Sequence, residues 1–79
     1  MSIKRLEVDR EDFFQYRNWM KERGFVSASY FSLNGFDVAK LKKLAEQGKM
    51  DAIRCEIGRS VKWYYLESQA ELAYLRGEV

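Results

Sequence analysis

Seven basic side chains fall within residues 37–62: Lys40, Lys42, Lys43, Lys49, Arg54, Arg59 and Lys62. Against them stand Asp37, Glu46, Asp51 and Glu56, so this stretch carries +3. Residues 63–79 carry −2 and residues 1–36 carry +1, which averages out to the bland +2 of the whole chain. Ammonium and guanidinium groups gathered on one segment neutralise phosphate, and such clustering is the electrostatic footprint of nucleic-acid binding. Lys40 and Lys43 lie three apart and share one face of any helix that carries them. The same lysines would serve equally as an ordinary solvated helix face. Arg59 follows Gly58, which lets the backbone come close to a groove while the guanidinium reaches phosphate or the minor groove. Arg54 and Lys62 are expected across from each other on the outward face of a hairpin, offset by Glu56. Alternation puts Trp63 and Tyr65 on the inward face with Val61. That leaves Tyr64 outward beside Lys62, as the aromatic free to stack on a base.

Catalytic chemistry has little to work with. The chain has no histidine, which removes the usual general base and the commonest metal ligand. Its single cysteine, Cys55, excludes an internal disulfide and a cysteine-rich zinc site. It has no glycine-rich phosphate loop, and Glu11–Asp12 and Glu67–Glu71 sit where helix starts account for them. The expectation is a binding module, not an enzyme, with no metal and no cofactor. At 79 residues the chain has room for one domain, 1–79. The N-terminus lacks the apolar run of a secretory signal, no stretch is long enough to cross a membrane, and the lone thiol suits a reducing compartment. A cytoplasmic protein is expected.

These side chains need elements to hold them. Residues 9–23 read as a helix with Asp9 as N-cap, Phe13, Tyr16 and Met20 on one face, and Gly24 after its end. That spacing leaves Phe14 or Trp19 exposed, a hint of a protein interface or a homodimer through this helix. Residues 25–33 fit a strand by their alternation, or a short helix capped by Ser27 or Ser29 and ended by Asn34-Gly35. Residues 37–47 predict a helix with Asp37 as N-cap and Val38, Leu41, Leu44 and Ala45 inward. Two alternating runs then flank Gly58-Arg59-Ser60 as a hairpin over 51–66. Ser68-Gln69-Ala70-Glu71 reads as a capping box that opens a last helix with Leu72 and Leu75 inward.

With those residues placed, Phe25 through Leu75 resembles the winged helix-turn-helix of the excisionase-like and MerR-like DNA-binding families. The family phrase "Leu-x-x-Leu-x-x-x-Gly-Lys-hydrophobic" stands here as Leu41-Lys42-Lys43-Leu44-Ala45-Glu46-Gln47-Gly48-Lys49-Met50. Ala52-Ile53-Arg54, Gly58-Arg59 and Trp63-Tyr64-Tyr65 match the family's basic strand, wing tip and aromatic strand. The resemblance implies an α+β fold, mainly helical: a winged helix-turn-helix core over 25–76, a two-stranded wing and an appended N-terminal helix. It implies a recognition helix at 37–47 in the major groove of duplex DNA, with the wing on the backbone. A prokaryotic or phage regulator of transcription, or an excisionase-like architectural factor, fits that description. The alternative keeps the fold but makes it a protein–protein adaptor or inhibitor. Near-neutral charge, Asp37 at the helix start and the aromatics of residues 13–31 favour that second reading.

Overall fold

The computed structural model describes residues 3–79, so the first two residues of the expected domain 1–79 lie outside it. In chain order the elements are β1 (Ile3–Val8), α1 (Phe13–Glu22), β2 (Phe25–Ser27), α2 (Ala28–Leu33), α3 (Val38–Glu46), β3 (Ala52–Ile57), β4 (Ser60–Leu66) and α4 (Glu67–Leu75). The strands form one mixed sheet in the order β1-β3-β4-β2. β1 runs parallel to β3, and the β3–β4 and β2–β4 pairs are antiparallel.

The α+β class holds, but the expected two-stranded wing does not describe the hairpin. β3 and β4 are the two central strands of the sheet, flanked by β1 and β2. An isolated hairpin is marginal in water, and a sheet of three or more strands becomes stable once a face is covered. Here helices pack on both faces, on one of them over half of its area. Phe31, Leu41, Ala45, Met50, Ala52, Tyr65, Ala70 and Ala73 form a buried cluster between α2, α3, α4 and one face. Val8, Met20, Ile53, Cys55, Ile57 and Tyr64 form a second cluster against α1 on the other.

The hairpin register sets these faces. Ile57 pairs with Ser60 around the two-residue tip Gly58-Arg59. Gly58 has φ +58° and Arg59 has no positive φ, the sign pattern of a type II′ turn that only glycine enters without strain. Cys55 therefore faces Lys62, Ile53 faces Tyr64, and Arg54 faces Trp63. Sequence alternation put Ile53 and Cys55 on the face of Trp63 and Tyr65, and Arg54 on the face of Lys62 and Tyr64. A tip of one residue more or less reverses that parity, and alternation alone does not count the tip.

The ambiguous segment 25–33 is divided between its two readings. Phe25–Ser27 is a strand, and Ser27 then caps α2 by accepting the Tyr30 N–H at 3.4 Å. α3 matches expectation: Asp37 Oδ1 accepts the N–H groups of Ala39 (3.1 Å) and Lys40 (3.3 Å), while Leu41 and Ala45 are buried.

Two helices differ from expectation. α1 begins at Phe13, because Asp9–Asp12 form a turn in which the Asp12 N–H bonds the Asp9 carbonyl. The helix is a structural layer and not a peripheral addition, since Met20 is fully buried against the sheet. α4 starts two residues early, with Leu66 as N-cap residue and no side-chain cap from Ser68. Ala70 and Ala73 face inward, while Leu72 and Leu75 are exposed. Two alanines let the α4 backbone come close to the large rings of Phe31 and Tyr65, a fit that leucine spacing does not reveal. Gln69 fastens this helix to the start of β3, accepting the Asp51 N–H at 2.7 Å and donating to Asp51 Oδ2 at 3.0 Å.

Candidate nucleic-acid interface

α3 holds its lysines outward because its apolar stripe is spent on the core. Leu41 and Ala45 are buried, Val38 and Leu44 are partly buried, and Lys40, Lys42 and Lys43 are left on the exposed faces. Lys49 is also exposed, just after the Gly48 that ends the helix, and its N–H closes the end on the Leu44 carbonyl at 2.9 Å. Among the described residues, none of these four ammonium groups has a carboxylate within ion-pair distance. Their charge is available to an anion.

Lys42 leans onto the sheet. Its Nζ lies 5.2 Å from the centroid of the Trp63 ring, within cation–π range. Trp63 is half-buried and stacks on Tyr65, with centroids 6.3 Å apart and planes at 14°. Arg54 is the register partner of Trp63 on the same face and forms an ion pair with Glu56. Arg5 of β1 is the next residue along from Arg54. The structure thus joins Lys42, Trp63, Arg54 and Arg5 around the open half of one sheet face. Arg5 has no sequence signal as a site residue, because half of β1 is charged and the strand is not legible without its partner β3.

Other expected site residues stand apart. Lys62 lies on the opposite face, with its Nζ 5.3 Å from the centroid of Phe13. Tyr64 was expected outward and is buried, 6% exposed, in the cluster under α1. Burial raises its phenol pKa above the ordinary value, with Cys55 adding to the rise and Arg17 opposing it. A buried ring has no free face for a base. Arg59 is exposed at the hairpin tip as expected. Its surroundings are mixed, because an open cleft of about 380 Å³ beside the tip is lined by Glu7, Asp9, Asp12 and Glu56 together with Val8, Tyr16 and Gly58. These carboxylates repel a phosphate chain that approaches along this flank.

The chain matches no family model, no curated protein and no solved structure. No helix among the described residues is long and apolar enough to cross a membrane.

Proposed function

We propose that this chain is a small, non-enzymatic duplex-DNA-binding module of the winged helix-turn-helix kind, acting as a regulator or an architectural factor. α2 and α3 are its helix-turn-helix and α3 its recognition helix, in keeping with the excisionase-like and MerR-like resemblance. The reading rests on one observation: Lys40, Lys42, Lys43 and Lys49 are exposed around α3 without a carboxylate partner among the described residues. Free ammonium groups on a convex helix release counterions when they meet phosphate. Arg54 and Trp63 lie behind Lys42 and extend the surface toward the sheet. Arg59 reaches one further phosphate from the tip. Lys62 and Tyr64, on the other face, take no part. Fluorescence anisotropy of the chain with a labelled duplex across a salt series tests this. Five phosphate contacts, from the four lysines and Arg59, correspond to a log–log slope of about −4 to −5. Absence of binding to any duplex at low salt overturns the reading.

A protein–protein adaptor is the second reading, and exposed apolar side chains favour it. Leu33 is 87% exposed, Leu75 81% and Phe14 66%. Tyr30 and Tyr74 are also exposed, and Tyr74 packs on Phe36 at 4.7 Å between centroids. If duplex DNA fails to bind, capture of a protein partner that is lost with Leu33→Ser or Leu75→Ser carries this alternative.

A further inference from the structure

β1 ends the sheet. One of its edges is bonded to β3, and no strand among the described residues occupies the other. A free edge of six residues is a template for another strand, whereas β2 at the opposite end has only three. Its charges are unsettled as well. On one face of the sheet Arg5 stands beside Arg54 and Glu7 beside Glu56, like charge against like. Arg54 and Glu56 pair with each other, and among the described residues Arg5 and Glu7 have no ion-pair partner.

We propose that β1 is a homodimer seam, pairing antiparallel with β1 of a second copy so that Arg5 of each chain lies opposite Glu7 of the other. Symmetry selects this register. The two-fold axis must stand perpendicular to the sheet, so each face continues into the same face of the second copy. Opposed residues then share a face, and one residue lies on the axis. Centring on Arg5 opposes two arginines, and centring on Glu7 opposes two glutamates. Centring on Leu6 gives two Arg5–Glu7 pairs on one face. On the other it sets Leu6 against Leu6 and Lys4 against Val8. Both α3 helices then emerge from the same side of one eight-stranded sheet. The seam stands on the β1 edge and its charges and does not rest on the DNA reading.

Sedimentation equilibrium of the full chain tests the seam, with circular dichroism to confirm folding. A reversible dimer is expected. Arg5→Glu sets two carboxylates together and Glu7→Arg two arginines, so each raises the dissociation constant at least tenfold. The double variant R5E/E7R restores the pairs and the dimer. Arg5→Glu also places a carboxylate beside Arg54, which favours the folded monomer. Leu6→Cys forms a disulfide-linked dimer under diamide, because the two cysteines oppose each other. Lys4→Cys does not, and neither does the natural chain, whose Cys55 is buried. A chain that stays monomeric at millimolar concentration overturns the proposal. So does a dimer that ignores the charge swaps, or one that dissociates with Leu33→Ser and Leu75→Ser instead.

Discussion

The Lys42 ammonium rests 5.2 Å from the centre of the Trp63 ring, tying the exposed helix α3 to the central strand β4. The other tryptophan, Trp19, is on α1, across the sheet, with the Arg23 guanidinium 4.0 Å from its ring centre. The two indoles therefore report on opposite sides of the molecule. In a Trp19→Phe chain, a duplex should change the Trp63 emission with the same midpoint as anisotropy. In a Trp63→Phe chain it should leave Trp19 unchanged. A response from Trp19 alone would move the contact to the α1 side.

Lysine substitutions separate the surface from its background. Lys40→Ala and Lys43→Ala should each flatten the salt dependence of duplex binding by about one unit of slope. Lys62→Ala and Tyr64→Phe should leave it unchanged, since one lies over Phe13 and the other is buried. An effect of Lys62→Ala equal to that of the α3 lysines would mean that charge is read diffusely and no face is used.

α4 packs through small residues. Ala73→Leu forces three extra carbons into a closed space at 4% exposure and should cost about 1–3 kcal/mol. Leu75→Ser, at 81% exposure, should change stability by less than about 0.5 kcal/mol. Urea denaturation of the two variants measures both. The reverse ranking would restore the leucine-inward helix.

Met20 measures how far α1 belongs to the core. Met20→Ala empties a fully buried position in the cluster with Cys55, Ile57 and Tyr64, and should cost about 2–5 kcal/mol. A peripheral helix would lose far less, and a cooperative melt followed at two wavelengths distinguishes the cases.

Tyr65 sets an alkaline limit. Burial, with the Glu46 charge adding to it, holds its phenol to about 12, against 10.0 for an unburied tyrosine. Because the folded value is the higher one, the unfolded chain releases this proton first. The contribution to stability is complete below pH 10 and is lost as pH climbs from 10 to about 12, on the order of 2–3 kcal/mol. Burial also raises Cys55 and Tyr64, so they add to the alkaline loss in the same sense. Denaturation midpoints across that range should fall less steeply for Tyr65→Phe.

Local signals and long-range pairing divide this protein between them. α3, with its Asp37 cap and Leu41–Ala45 stripe, and the Gly58-Arg59 tip are visible in the chain itself. A cap, a helical period and a glycine turn involve residues a few positions apart. The outward lysines of α3 follow from that period, so this half of the candidate site was legible as well. β1 was not, because Lys4, Arg5 and Glu7 dilute its apolar pattern and its partner β3 begins 49 residues after Ile3. Without β1, Arg5 has no place beside Arg54, and the hairpin looks like a free wing. The sharing of faces was also hidden. Which of Arg54, Lys62, Trp63 and Tyr64 point the same way depends on the length of one turn, and whether either face is wet depends on α1 and α4 docking there. The sequence by itself determined the elements that short-range capping and periodicity specify, and the basic charge they carry. Only the tertiary structure decided that the hairpin is the middle of a sheet with helices packed on both sides, because strand pairing and face burial are set by residues far apart along the chain.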